Sequence, residues 1–505
     1  MASSCSAPSQ PQILDAVVIG GGPSGIGASL ALAGWLPYHR NGCAVHDANL
    51  TRLLQELPDG ALGGETIPRL AAGLRGRSNN PLALLFDALQ HPGTDYGWRA
   101  PCCLELRHDP SAALDHAVID PGPPGGSWHE MHEATRTLSP GPWMELPGFK
   151  LSEFLRERES LSPAAAASSA ATRQPRRLVA DYYAAAAARY GVAPHFLARR
   201  VVAVHAADNA SDTDAGAAVP AWTVELSDGA VLRSHALVLA TGTAGLPRRL
   251  GIEGEDLPYV SHRCIELPAS TRTVLVLGAG LSAADCIVHH LQQGRRVLHA
   301  FRGTADKTKL GSKFGSAGAT RMYPEYHALV QAMRAPLAKA KLLGGEYAPY
   351  ARRDLEAMRS GGQCELARSD SLGGDGYGAG GGSGGETSDG DVADMHTLRV
   401  DAVAILVGST PDLAFLPDSV RQALEAAGPP SDTVGGIRAT HPVFFDVDPW
   451  RFESRVWPTL HALGPLRGDN FVRFAIHDGH GVAMSLRERR RPPPAPPPLL
   501  SSSNE

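Results

Sequence analysis

The sequence predicts an α/β fold built from two strand–glycine turn–helix units. Three observations carry this. The apolar run Ile13–Ile19 ends in Gly20-x-Gly22-x-x-Gly25 and opens a small-residue stretch at 26–36 that reads as a helix. The run Thr273–Leu277 ends in Gly278-x-Gly280-x-x-Ala283 in the same way. Elsewhere short apolar runs alternate with helix-like stretches, as they do where helices cover a sheet.

Each turn has what a Rossmann-like dinucleotide-binding unit needs. The first glycine makes the tight turn, the second lets backbone reach a pyrophosphate, and the third lets helix pack on strand. The helix N-terminus then offers N–H donors and the positive end of its dipole. Gly20, Gly22 and Gly25 fill these places in the first unit, with Pro23 and Ser24 between them. Gly278 and Gly280, followed by Leu281 and Ser282, fill them in the second, with alanine as an allowed third residue. An acidic residue about 20 positions on, for the ribose hydroxyls, is expected at Asp47, although 40–46 makes a poor strand. The strand expected at 297–301 ends in Arg302, which suits a 2′-phosphate and so NADPH over NADH.

Other elements follow from local signals. Residues 81–89 read as a helix with proline in its first turn, and 181–190 as a helix capped by Asp181. Strands are expected at 201–205, Trp222–Leu226, 236–240, 402–407 and 459–463. Residues 161–177 read as an insertion or irregular connection, and 371–391 as a disordered glycine-rich surface loop. The basic run 487–491 and the prolines of 492–498 read as a solvated tail.

Composition narrows the class. The 505 residues are 43% apolar and 20% charged, with a formal net charge of −5. That balance gives no electrostatic reason to expect nucleic acid or an acidic membrane as partner. No run approaches a membrane span, and the N-terminus lacks a secretory pattern, so a cytoplasmic protein is expected. The seven cysteines include no Cys-x-x-Cys. This argues for free thiols, and against a disulfide scaffold, a zinc ribbon or redox-dithiol chemistry, which needs two close sulfurs. No metal-ligand spacing is visible.

Further motifs resemble those of flavin-containing monooxygenases. Gly125-Gly126-Ser127-Trp128 resembles the family's Gly-Gly-x-Trp motif near the flavin, which assigns Gly126 and Trp128 to it. Ala240-Thr241-Gly242 resembles its Ala-Thr-Gly motif at the passage between the two dinucleotide domains, and 401–410 resembles the second passage. Gly468-Asp469 resembles the Gly-Asp of the last flavin motif, ahead of a helix over 470–485. More closely, LLFDAL at 84–89, LSPGPWM at 138–144, GLSAAD at 280–285, HAFR at 299–302, MYPEYH at 322–327 and GPLRGDNFVRF at 464–474 resemble the oxidative stress-induced growth inhibitor family.

That resemblance implies FAD in the first unit and NADPH in the second. It implies a monooxygenase-like oxidoreductase whose reduced flavin activates O2 toward a small nucleophile, in a family linked to oxidative stress and growth restraint. The implied domains are FAD-binding parts at 13–250 and 413–486, an NADPH-binding insertion at 251–412, and a tail at 487–505. Two departures matter. Leu138 stands where the monooxygenases carry an active-site Asn, so Ser139 is expected to supply the polar group. Their Phe-x-Gly-x-x-x-His signature keeps only His262, here read as structural. A regulatory flavin-fold protein with little turnover and an uncoupled NADPH oxidase therefore stay open as alternatives.

Overall fold

The computed structural model describes residues 12–490 apart from 44, 58–59, 98–99, 208–220, 336–339, 369–395, 428–432, 435–436 and 439–443. The elements that position the site, numbered along the chain, are β1 (Ile13–Ile19), α1 (Pro23–Leu32), β2 (His116–Asp120), β3 (Val231–Leu239), β4 (Thr273–Leu277), α2 (Leu281–Gln292), β5 (Arg296–Phe301), β6 (Ala402–Ile405), β7 (Leu460–Ala462) and α3 (Gly479–Arg490). The chain forms two units. Unit 1 takes residues up to Met131, Thr137–Gly242 and Asp412 onward; unit 2 takes His132–Arg136 and Thr243–Pro411.

In unit 1 the strands Phe196–Ala198, β2, β1, β3 and β7 run parallel in that order. The start of β3 continues antiparallel to Trp222–Leu226, which pairs with Val201–Ala206. Ala16, Val17 and Val18 are buried without exception, which is why β1 reads as an unbroken apolar run. Register is the decisive feature. Ile19 pairs with both Ile119 and Leu239, and Leu239 with Ala462, so four strands end side by side. Helix α1 meets α3 through small residues: a methyl group on Gly479 would sit 2.3 Å from Ala28 Cα.

Unit 2 repeats the plan. Val260–Ser261, β6, β4, β5 and Gly345–Ala351 run parallel, with Ala340–Leu342 antiparallel at the edge. Leu277 pairs with both Ala300 and Ile405, again aligning the strand ends. A three-stranded antiparallel sheet, Arg353–Arg359, Gln363–Arg368 and His396–Arg399, completes it.

Several expectations need correction. The helix expected at 26–36 ends at Leu32, and Trp35–His39 pairs with Leu104–His108 as a two-stranded ribbon. The stretch 161–177 is ordered: Ser162 caps the helix Pro163–Ala170, whose first residue is proline. Asp181 caps nothing, because its helix already starts at Arg176; its carboxylate pairs with Arg158. The helix expected over 470–485 is broken into Val472–Ala475 and α3. The basic run is not a solvated tail as far as Arg490. It is the last turn of α3, where cations suit the dipole, and Arg487 donates to Ala112 O at 2.7 Å while Arg490 pairs with Asp15. The glycine tract at 371–391 and residues 491–505 lie outside the described residues.

The LSPGPWM segment acquires a structural account. Tyr182 and Tyr183 hydroxyls donate to Phe149 O and Met144 O at 2.6 and 2.9 Å. Between these anchors Glu145 Oε1 accepts from Leu151 N at 2.9 Å. Burial pushes the Glu145 carboxyl from 4.5 up to about 7. The fold therefore prefers the neutral acid. That preference stabilises fully below the unfolded-state value and is lost as pH rises through about 7, a swing of at most about 3 kcal/mol. Glu145→Gln is expected to reduce the fall in urea midpoint between pH 5 and pH 8. An unchanged pH dependence in the variant would refute this account.

Candidate functional site

The aligned strand ends of unit 1 deliver five segments to one place. Gly20, directly after β1, has φ +111°, and a methyl group there would lie 2.4 Å from Ala240 O. Only glycine fits a turn that crowded. Its neighbour Gly21 donates to Asp120 Oδ2 at 2.7 Å, and Gly122 N donates to the other oxygen at 2.8 Å. Burial pushes the Asp120 carboxyl up in spite of these donors. Gly125 N donates to Gly21 O at 2.8 Å, which docks the 125–128 loop on the turn. A methyl group on Gly126 would come 2.8 Å from Gly22 Cα, and one on Gly464 would come 2.3 Å from Ser24 Oγ. Pro23 starts α1, and a methyl group on Gly25 would lie 1.9 Å from Gly20 O, so α1 and β1 are in backbone contact as the third glycine requires. Arg176 reaches Trp128 O at 3.4 Å and His129 O at 3.0 Å, which fixes the far end of the loop.

Three features fit this cradle to a dinucleotide. Gly22 caps α1 with no side-chain hydrogen bond, leaving the helix N-terminus to an anion. No heavy atom lies within 4 Å of where a Gly22 methyl group would stand. Thr241 Oγ1, one residue past the turn that crowds Gly20, is buried with no hydrogen-bond partner. A buried hydroxyl in that condition costs about 1–3 kcal/mol, which a ligand's polar group recovers.

The second turn is built alike. Gly278 has φ +110°, and a methyl group there would lie 2.2 Å from Leu406 O. Gly280 caps α2 without a side-chain bond and with open space around it, and Leu281 and Ser282 start the helix. His299, fully buried, holds this turn. Burial lowers it to about 4, so the ring is neutral. Its Nε2 lies 2.7 Å from Gly278 O and must donate there, so Nδ1 accepts from the Tyr347 hydroxyl at 2.7 Å. Ser409 Oγ donates to Thr243 O at 2.8 Å, tying together the two chain passages at the border of unit 2.

Some expected residues sit elsewhere. Asp47 does not follow a strand beside β1. Its carboxylate accepts from Leu50 N at 2.8 Å and caps the helix Ala48–Gln55. Of the two strands that flank β1, β2 and β3, the first ends in Asp120. The ribose-type acid was sought about 20 residues on, but residues 33–115 intervene between α1 and β2. Gly468-Asp469 likewise lies beyond the end of β7, where Gly464 takes the place next to the turn. Asp469 is buried, accepts from Ser78 Oγ at 2.5 Å, and is raised by that burial. Close behind it Asp478 accepts from Asn80 Nδ2 at 2.9 Å and Gly464 N at 2.8 Å. Asp469 therefore braces the loop from inside. Arg302 does follow β5, with its Nε 2.7 Å from Asp354 Oδ1. Ser139 is buried in a ribbon formed by Arg136–Pro140 and Arg173–Pro175, where Thr137 Oγ1 donates to its carbonyl at 2.6 Å. His262 Nε2 lies 2.7 Å from the buried Glu255, whose carboxylate also accepts from Leu250 N and Gly251 N. It anchors a loop.

Comparison with known proteins places this architecture. Oxidative stress-induced growth inhibitor 1 of Homo sapiens is 32% identical over 497 residues, covering 95% of this chain and 96% of that protein. The chain belongs to the oxidative stress-induced growth inhibitor family. Oxidative stress-induced growth inhibitor 2 of Homo sapiens is 29% identical, covering 94% of this chain and 93% of that protein. Residues 102–314 match the family model described as pyridine nucleotide-disulphide oxidoreductase. Among solved structures, the bacillithiol disulfide reductase of Staphylococcus aureus superposes with a TM-score of 0.53 at 14% identity, covering 95% of this chain and 100% of that one. At that identity the likeness is one of fold. This member of the family is thus built on a two-unit α/β oxidoreductase fold, and no described helix is long and apolar enough to cross a membrane.

Proposed function

We propose that the chain is an FAD- and NADPH-dependent oxidoreductase of monooxygenase type acting on a small nucleophile. The observation that carries the reading is the uncapped N-terminus of α1 at Gly22, ringed by Asp120, Gly126, Thr241 and Gly464. Within this ring, amides at the start of α1 take the FAD pyrophosphate, Asp120 takes a ribose diol, and Thr241 Oγ1 gains the partner it lacks. The same arrangement at Gly278, Gly280 and α2 takes the pyrophosphate of NADPH. Bound FAD supplies electron transfer from NADPH and activation of O2 toward the nucleophile. The protein's part is to bind, orient and keep water out; no protein nucleophile is required.

The test is an anaerobic titration of the flavin-loaded protein with NADPH. Bleaching of the visible flavin band, with its return on admitting air, is expected; a band that NADPH never bleaches removes the reading. One observation favours a second reading, a regulatory flavin-fold protein with little turnover: Ser139 is buried in its ribbon, and Leu138 is its neighbour. Steady NADPH oxidation accelerated by a defined amine or sulfide would remove that alternative.

Arg302 gives a prediction about nucleotide choice. Asp354 already fixes the guanidinium in orientation. If it reads the 2′-phosphate, Arg302→Ala lowers the preference for NADPH over NADH about tenfold, or roughly 1.4 kcal/mol. Equal reduction rates with both nucleotides before and after the substitution would reject this role.

A further inference from the structure

The close pair of sulfurs that the sequence spacing does not offer is supplied by the fold. Cys264, half-buried in the loop after Val260–Ser261, meets Cys286, buried in α2, across 22 residues of sequence. Their sulfurs and a ring nitrogen of His290 all lie within 4.8 Å of one another. His290 is 1% exposed. Arg295 Nη1 lies 3.0 Å from His290 Nδ1. A guanidinium can only donate, so Nδ1 accepts and Nε2 carries the proton of the neutral ring. Arg295 also donates to Leu267 O at 2.8 Å, which clamps the segment carrying Cys264 against α2.

We propose that Cys264 and Cys286 form a peroxide-sensitive dithiol that closes reversibly to a disulfide. Exposure assigns the order. Cys264 is the accessible sulfur and reacts first; Cys286, shielded in the helix, resolves. The Cys264 sulfur attacks one oxygen of hydrogen peroxide, breaking the O–O bond, releasing one water and leaving a sulfenic acid. The Cys286 sulfur then attacks the Cys264 sulfur, and the hydroxyl leaves with the Cys286 proton as a second water. Two thiols lose two electrons in all, and peroxide gains them. His290, with a ring nitrogen within 4.8 Å of both sulfurs, and the Arg295 guanidinium behind it place polar side chains beside the pair where the protons are exchanged. The same side chains have the donor types of a zinc site. The Arg295 cation opposes a dication there, and it denies His290 the outward N–H bond that metal-bound histidines make.

The test treats the full chain with hydrogen peroxide, alkylates the remaining thiols and maps the peptides by mass. A single cross-link joining Cys264 to Cys286, removed by dithiothreitol, is expected. Cys286→Ser should leave Cys264 as a sulfenic acid trapped by dimedone, while Cys264→Ser should leave Cys286 a thiol. His290→Gln should slow closure several-fold. Full alkylation of both cysteines after peroxide overturns the proposal. So does a stoichiometric zinc ion in the isolated protein that leaves only when these thiols are modified.

Discussion

Gly22→Val is expected to yield a folded chain that holds no flavin. The backbone at Gly22 is extended, with φ −73° and ψ −173°, a conformation valine adopts readily. No heavy atom lies within 4 Å of the first carbon that would be added, so the protein itself is not crowded. Exchanging glycine for valine at a helix cap costs no more than about 1 kcal/mol. The added side chain instead fills the space over the first amides of α1. Losing two charge-assisted hydrogen bonds there costs about 3–6 kcal/mol, which weakens FAD roughly 100- to 10,000-fold. Flavin-to-protein ratio after gel filtration reads the loss, and the melting temperature of the flavin-free proteins checks the fold. Gly25→Ala makes the contrast: its methyl group would sit 1.9 Å from Gly20 O, so it should damage folding itself. Stoichiometric FAD in folded Gly22→Val would show that the first turn is not the flavin site.

Both glycine turns were legible in sequence because their signal is local. Strand, turn and helix start are contiguous, and Gly20, Gly25 and Gly278 answer to contacts within the turn or with the strand end beside it, while Gly22 and Gly280 leave open space at the helix start. Gly126 and Thr241, which the fold brings beside the first turn, stand in motifs that resemble a family's. Where the geometry and the sequence reading part, the cause is sequence distance. Asp120 pairs with Gly21 across 99 residues because a helical segment and a ribbon are inserted between α1 and β2. Counting forward from the turn led to Asp47, whose own helix explains it. Gly464 was missed because Gly468-Asp469 has the better-looking letters, yet strand register, which no local pattern encodes, ends β7 at Ala462. His299 stands in the HAFR motif with no role that its neighbours in sequence suggest, and only its neutral, fully buried ring bridging Gly278 and Tyr347 supplies one. Cys264 and Cys286 lack the short spacing by which dithiols are recognised, and a loop folding back on a helix supplies the proximity instead.

Asp120→Asn should damage both the turn and the flavin site, while Asp47→Asn should spare the flavin. Each oxygen of Asp120 accepts a backbone N–H, from Gly21 at 2.7 Å and from Gly122 at 2.8 Å. An asparagine offers one oxygen, so its amide nitrogen must face one of these donors. Leaving a buried N–H unpaired costs about 1–3 kcal/mol, and the loss should appear in the flavin-free protein as a lower urea midpoint. The flavin suffers separately, because one carboxylate oxygen that would accept from the ribose hydroxyls is gone; a further roughly 10- to 100-fold loss of FAD affinity is expected. At Asp47 the single bond to Leu50 N is a helix cap, worth about 0.5–2 kcal/mol of stability. Asparagine caps nearly as well, so that variant should melt and bind like the parent. The pair separates two kinds of acid that the sequence alone treats alike. A fall in FAD affinity confined to Asp47→Asn would return the ribose to the position that counting along the chain selects. A fall confined to Asp120→Asn, with the flavin-free protein already loosened, would mean that one carboxylate both builds the turn and reads the ligand. Burial pushes the Asp120 carboxyl up because an acid shielded from water is costly to keep charged, and the two backbone N–H donors offset part of that cost.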